Sequence, residues 1–182
     1  PEIRTLDGTT PVNARPRYIM ADNTERISVK PYQDTAAYTS GVHLVGNNLA
    51  NNLVGTTLGD VLRNQSILTS TTTADTLNGG LGNDEYQLIT SGAHQIVDSG
   101  GNDTLFFLPR AANQRFSAPS TAGIEYLVMN PRDTLSGTGV NGTTRSETIA
   151  GSAGANVING GDNNDVIYGC PNPSGQKDTV TG

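Results

Sequence analysis

The sequence predicts an all-β protein: a right-handed parallel β-roll or β-helix solenoid with a short irregular or hairpin segment at its N-terminus. Three observations predict this fold class. Only 34% of the 182 residues are hydrophobic and 15% are charged, which is too little apolar material for a thick core between packed helices. Glycine, a turn-forming residue, occurs 22 times. Short apolar segments also recur at intervals of nine residues, as expected for a repeat protein.

The recurring unit is an acid or amide followed two positions later by an apolar residue. Several of the intervals between units are nine residues, and the longer ones predict loops inserted between repeats. The pairs in chain order are Asn51/Leu53, Asp60/Leu62, Asp75/Leu77, Asp84/Tyr86, Asp103/Leu105, Asp133/Leu135, Glu147/Ile149, Asn156/Ile158, Asp165/Ile167 and Asp178/Val180.

One nine-residue unit is complete. Residues 79–87 fit the pattern G-G-x-G-x-D-x-U-x at every defined position, and residues 160–168 miss only the third glycine. The first six residues predict a turn with positive φ angles, which glycine adopts at little steric cost. The last three predict a short strand whose middle side chain faces inward. Two units then close a coil of eighteen residues, and successive coils stack as parallel strands on two facing sheets.

Two regions depart from the repeat. Residues 1–40 are predicted to form an N-terminal cap or arm, in which residues 17–20 and 26–29 pair as a hairpin. Residues 41–182 are predicted to form the roll. It is interrupted at about residues 105–132 by two longer strands and a loop, and these strands either widen the solenoid or pair beside it.

Charge and motifs exclude several function classes. The formal net charge of −6 lies entirely after residue 40, and an acidic surface repels phosphate, so nucleic acid is excluded as a partner. No apolar run approaches the roughly 18 residues of a membrane span. No H-E-x-x-H occurs, and residues 98–101, which look like a serine-protease nucleophile loop, are better explained as a repeat turn. The sequence therefore predicts that the chain is not an enzyme.

The sixth repeat position predicts a calcium site. An aspartate there points its carboxylate over the carbonyls of the turn, and Ca²⁺ binds several hard oxygens at about 2.3–2.6 Å. Turns on one side of the roll are about eighteen residues apart when no loop intervenes, which pairs Glu147 with Asp165 and, after an insertion, Asp60 with Asp84. The predicted ligands are the side chains of Asp60, Asp75, Asp84, Asp103, Glu147, Asp165 and Asp178 and the turn carbonyls of Gly80, Gly82, Gly161 and Asn163.

Not every turn is expected to bind calcium equally. Asn51 and Asn156 carry no charge, so the pairs Asn51/Asp75 and Asn156/Asp178 should bind an ion weakly or not at all. The alternative for all of these side chains is that they only stabilise turns, through hydrogen bonds to the backbone.

Residues 41–182 resemble the hemolysin-type (RTX) calcium-binding repeat proteins of bacteria. Beyond the unit at 79–87, residues 123–127 and 46–55 look like the spacers between repeat blocks of large secreted members. The resemblance implies a parallel β-roll that folds with calcium outside the cell, and type I export that reads a C-terminal signal. Because the chain stops within a repeat, that signal is expected to have been removed, or the chain is a segment of a longer protein.

Two functions remain open at this point. The first is an extracellular or cell-surface structural or adhesive protein that self-associates with calcium into a surface layer, matrix or filament, with cell-surface polysaccharide as a further partner. The second is the C-terminal calcium-binding export or stabilisation module of a secreted hydrolase or polysaccharide-modifying enzyme. The first is favoured because the chain has its own nonrepetitive N-terminal segment, lacks catalytic groups and has open solenoid ends that could stack.

Overall fold

A computed structural model describes residues 2–3, 16–29, 40–64, 74–119, 123–170, 175 and 177–182. In these residues the chain forms β-strands and no helix, and every pairing between strands is parallel. The prediction of an all-β parallel solenoid is confirmed. No helix in the described part of the chain could span a membrane.

The strands are short, with two to six residues each. In chain order they are β1 Glu2–Ile3, β2 Arg17–Ile19, β3 Arg26–Ser28, β4 His43–Val45, β5 Asn52–Val54, β6 Val61–Arg63, β7 Thr76–Leu81, β8 Glu85–Leu88, β9 Gln95–Gly100, β10 Asp103–Phe107, β11 Arg115–Ser117, β12 Ile124–Met129, β13 Thr138–Asn141, β14 Thr148–Ala150, β15 Asn156–Asn159, β16 Val166–Tyr168 and β17 Thr179–Thr181.

The chain alternates between two faces, one strand at a time. All even-numbered strands form one eight-stranded sheet, which we call the long sheet, in the order β16-β14-β12-β10-β8-β6-β4-β2. The odd-numbered strands form the other face, which is divided into a five-stranded sheet, β1-β3-β5-β7-β9, and a four-stranded sheet, β11-β13-β15-β17. The second face is thus split between β9 and β11, where the sequence predicted an interruption.

The core is a file of inward side chains that stack in register from coil to coil. On the long sheet, six of them are buried: Leu44, Leu62, Tyr86, Leu105, Leu127 and Ile149. Opposite them lie Ile27, Leu53, Leu77 and Ile96 on one sheet and Phe116, Val140 and Ile158 on the other. Full burial of such a side chain contributes about 1.5–3 kcal/mol. One inward residue per short strand explains how so little apolar material suffices.

The predicted N-terminal hairpin is wrong. Strand β2 pairs in parallel with β4 on the long sheet, whereas β3 pairs in parallel with β1 and β5 on the other face. Two short apolar runs joined by a polar turn look the same in a hairpin and in one coil of a solenoid. Here each run continues an inward file, because Tyr18 lies beside Leu44 and Ile27 beside Leu53. That residues 1–40 cap the solenoid stays a prediction, and much of that segment lies outside the described residues.

The longer strands expected near residues 105–132 lie within the solenoid. Strands β10 and β12 are neighbours in the long sheet, so they widen the coil and do not pair beside it. Each adds a second buried inward residue, Phe107 and Met129. The Phe107 ring packs against Phe116 on the other face, with ring centres 6.1 Å apart.

Candidate metal centre

The turns that lead from the second face to strands β6, β8, β10, β14 and β16 carry an acid at their sixth position. Each backbone N–H at this position donates to the acid of the next coil, so the carboxylates form a ladder. Asp60 donates to Asp84 Oδ1 at 2.7 Å, Asp84 to Asp103 Oδ1 at 2.7 Å, and Asp103 to Glu125 Oε2 at 2.7 Å. Acids from successive coils are therefore brought side by side along one edge of the solenoid.

The structure brings together the other pairs that the sequence paired. Glu147 N–H donates to Asp165 Oδ1 at 2.9 Å on the same kind of turn. On the turns that leave the long sheet, Asn51 donates to Asp75 Oδ1 at 2.8 Å and Asn156 donates to Asp178 Oδ1 at 2.9 Å. These bonds are the turn-stabilising role that was the alternative to calcium binding.

The turns of the two nine-residue units share one backbone shape. Positive φ angles occur at their second and fourth positions: 102° at Gly80 and 108° at Gly82, then 103° at Gly161 and 72° at Asn163. Asparagine tolerates this region better than most residues, which explains why the unit at 160–168 forms without its third glycine. The turn carbonyls predicted as ligands therefore lie at equivalent positions in both units.

Three carboxylates form a compact group between the turn at 79–84 and the turn at 98–103 of the next coil. Oxygen atoms of Asp84, Asp98 and Asp103 all lie within 4.8 Å of one another, and no other such group of metal-ligating side chains occurs among the described residues. Asp84 and Asp103 are buried, and the Oδ2 atom of each has no hydrogen-bond partner. Leaving a buried charged oxygen unpaired is costly, so these atoms fit a bound cation.

The electrostatics of the group point the same way. Burial raises the pKa of Asp84 to about 7, and the neighbouring carboxylates of Asp60, Asp98 and Asp103 add to the rise. Burial also raises the pKa of Asp103 to about 6, again with a contribution from Asp98. A doubly charged ion with hard-oxygen preference would favour the ionised carboxylates of all three residues. This donor set fits Ca²⁺.

Other predicted ligands already accept hydrogen bonds from their own turn or from the neighbouring coil. Asp60 Oδ1 accepts from Val42 N–H at 2.6 Å, and its Oδ2 accepts from Thr56 N–H at 2.5 Å. Glu147 accepts from the backbone N–H of Thr143 at 3.2 Å and from the Thr143 hydroxyl. Burial raises the pKa of Glu147.

Asp75 is engaged differently, and its partner was missed from the sequence. Its Oδ2 lies 3.2 Å from Nδ1 of the buried His94, and its N–H donates to the same nitrogen at 3.1 Å. His94 thus holds a ladder position, with Ile96 two residues later as the inward side chain. The repeat pattern admitted only acids and amides at that position, which is why His94 escaped it.

Asp98 was also missed. It occupies the first position of the turn at 98–103, where the two nine-residue units carry Gly79 and Gly160. An acid in place of this glycine was the signal that could have identified it.

Comparison with known protein families identifies calcium-binding repeats in segments that overlap the two nine-residue units. A family model described as the RTX calcium-binding nonapeptide repeat matches residues 67–86 and 141–169, in four copies. These segments are RTX calcium-binding repeats. Calcium is accordingly the cofactor of the protein. The matched residues make up about a quarter of the chain, which is less than the resemblance over residues 41–182. They include Asp84 but neither Asp98 nor Asp103. No curated protein and no solved structure matched the chain.

Proposed function

We propose that the protein is an extracellular calcium-binding repeat protein with a structural or adhesive role, folded by calcium held at the turns that carry Asp84 and Asp103. The observation that carries the calcium part is the pair of buried Oδ2 atoms, on Asp84 and Asp103, without partners. A site this rich in buried negative charge disfavours the folded state until a cation compensates it.

The thin core makes the dependence on calcium strong. A ligand that binds only the folded state stabilises it by RT ln(1 + [Ca²⁺]/Kd), which is about 2.7 kcal/mol at a hundredfold excess over Kd. Whole domains are stable by only about 5–15 kcal/mol. Calcium at extracellular concentration therefore supplies a large share of the stability, because the core contains only two opposed rows of apolar side chains.

The test is a calcium titration followed by thermal unfolding, with circular dichroism as the readout. Calcium should raise the Tm of the wild-type protein by about 5–10 °C, and Asp84→Asn should lose most of that increase. Asp162→Asn is the matched control, because Asp162 is an exposed turn acid outside the group, and it should keep the increase. A wild-type spectrum and Tm that do not respond to calcium would show that the proposed function is wrong.

The outer face of the long sheet supports self-association. Near its C-terminal end the exposed apolar side chains Tyr126, Val166 and Tyr168 are 44%, 49% and 59% accessible. They belong to two rows in register across strands β12, β14 and β16: one row is Tyr126, Thr148 and Val166, and the other is Val128, Ala150 and Tyr168. A largely apolar exposed surface of this kind, in which Thr148 is the one polar member, is typical of a contact between proteins. We propose that a second copy of the chain binds there.

Sedimentation velocity and electron microscopy with and without calcium test this contact. The wild-type protein should form dimers or larger ordered assemblies in calcium, and the double substitution Val166→Lys with Tyr168→Lys should abolish them. The double substitution Thr179→Lys with Thr181→Lys places the same two charges on the opposite face, where both threonines are also exposed, and should leave assembly unchanged. A wild-type protein that stays monomeric in calcium would contradict a filament or layer. It would favour the second candidate, a C-terminal module of a secreted hydrolase or polysaccharide-modifying enzyme.

Two finer points stay predictions that rest on the sequence. They are binding to cell-surface polysaccharide and type I export to the outside of the cell.

A further inference from the structure

The first position of a repeat turn points its side chain at the sixth-position side chain of the same turn. A Cβ atom at Gly79 would overlap Asp84 Oδ2, and one at Gly160 would overlap Asp165 Oδ2. At Gly151 it would lie 2.6 Å from Asn156 Oδ1. Regular turns thus have no room for a side chain here.

The turn at 98–103 is different because strands β7 and β9 change register beside it. Asn78 pairs with Val97, but Gly80 pairs with Asp98 and Leu81 with Gly100, so residues are skipped on both strands. Such irregularities re-aim side chains locally. The Asp98 carboxylate therefore lies where other turns have only a glycine hydrogen, in the group with Asp84 and Asp103.

Asp98 is held from inside the core. Tyr86 is fully buried at the inward position of β8, and its hydroxyl donates to Asp98 Oδ2 at 2.5 Å. The same hydroxyl accepts from Gly79 N–H at 3.1 Å, and Gly100 N–H donates to Asp98 Oδ1 at 2.8 Å. The inward neighbours of Tyr86 on either side are Leu62 and Leu105, which have no such group. Tyr86, unlike these two leucines, thus links the core to a turn.

We propose that Asp98 is a calcium ligand supplied from outside the repeat pattern, and that Tyr86 is the positioning residue that fixes its carboxylate. The inference rests on the proposed function, since it assigns residues of the same calcium site. The independent sign that a cation enters is the pair of buried, unpartnered Oδ2 atoms on Asp84 and Asp103. With three carboxylates, this site binds calcium more tightly than the two-acid or asparagine turns, because affinity rises with the number of charged ligands.

Calcium affinity by titration calorimetry tests the role of Asp98. Asp98→Asn should weaken the tightest calcium-binding step about tenfold or more, and Tyr86→Phe should weaken it a few-fold while the ring still fills the core. Tyr18→Phe is the control, because Tyr18 holds the equivalent inward position on β2, at the far end of the long sheet, and it should bind calcium as the wild type does. If Asp98→Asn keeps wild-type affinity while Asp84→Asn loses it, the role of Asp98 is wrong and the proposed function stands. If the wild type itself binds no calcium, the proposed function fails.

Terbium luminescence tests the position of Tyr86 separately. The chain has no tryptophan, so only tyrosine can transfer excitation efficiently to a bound Tb³⁺ ion. Emission excited through tyrosine should fall at least several-fold in Tyr86→Phe and persist in Tyr18→Phe. Direct excitation of Tb³⁺ reports occupancy in both variants without any tyrosine. Undiminished tyrosine-excited emission from an occupied Tyr86→Phe protein would overturn the placement of Tyr86 beside the ion.

Discussion

Calcium-free protein is expected to be more stable at about pH 5 than at about pH 8. The pKa of Asp84 is about 7 and that of Asp103 about 6 in the fold, above the ordinary value of 3.8. An acid with a raised pKa keeps its proton more readily when folded than when unfolded. The free energy of unfolding therefore falls as the pH rises from about 4 to about 7, then levels off. Above pH 5, Asp84 titrates over about two pKa units and Asp103 over about one. At about 1.4 kcal/mol per unit, the loss between pH 5 and pH 8 is at most about 4 kcal/mol, or about 8–16 °C in Tm.

Calcium should remove this dependence, because the ion binds the ionised carboxylates and its affinity rises over the same pH range. The measurement is a series of thermal melts on protein stripped of calcium with a chelating resin, repeated in excess calcium. Asp84→Asn is the control, since a neutral amide cannot titrate, and its calcium-free profile should be distinctly flatter. A wild-type profile that rises with pH in the absence of calcium would contradict the electrostatic account of the site.

Gly101→Ala is expected to be the most damaging single substitution next to the metal centre. A Cβ atom at Gly101 would overlap the carbonyl oxygen of Gly82 in the preceding turn, and the backbone φ of 153° is itself unfavourable for alanine. The two turns that carry Asp84 and Asp103 could then no longer stack in contact. We expect a loss of about 4 kcal/mol or more in the free energy of unfolding, together with weaker calcium binding.

Gly100→Ala provides the matched control for the contact. Gly100 has a similar φ of 141°, but the nearest atom to a Cβ there is Leu81 Cδ2, 4.0 Å away. This variant should lose only the cost of backbone strain, about 1–3 kcal/mol. Urea unfolding of both variants in excess calcium measures the difference. Equal losses would mean that strain, and not the close approach of adjacent turns, makes glycine necessary.

Most of the fold could be predicted from the nine-residue period of the sequence. An apolar residue every nine positions predicted the inward files, and acids two residues earlier predicted which side chains meet across coils, such as Asp60 and Asp84. Both follow from the period alone, because stacking places equivalent positions next to each other. The hairpin failed because a local pattern does not say which strand pairs with which.

The positions of Asp98, Tyr86 and His94 in the site could not be predicted from the repeat period. Asp98 reaches the other two carboxylates only because β7 and β9 change register beside it, and the period of a sequence does not show such a change. The contact between Tyr86 and Asp98 crosses from one face of the coil to the other, so neither residue signals it. His94 accepts the backbone hydrogen bond of Asp75 with a ring nitrogen, at a position where other coils use a carboxylate oxygen.

The ladder also constrains how the chain folds. Its hydrogen bonds join residues between 18 and 24 positions apart at every step that the structure describes from Val42 to Asp178. Loop closure thus costs nearly the same entropy for each coil, and no step must bring distant parts of the chain together. Folding can spread from one formed coil to its neighbours in either direction, as in other solenoids. Because Asp84 and Asp103 lie in the middle of the stack, an ion captured there offers a starting point from which both ends assemble.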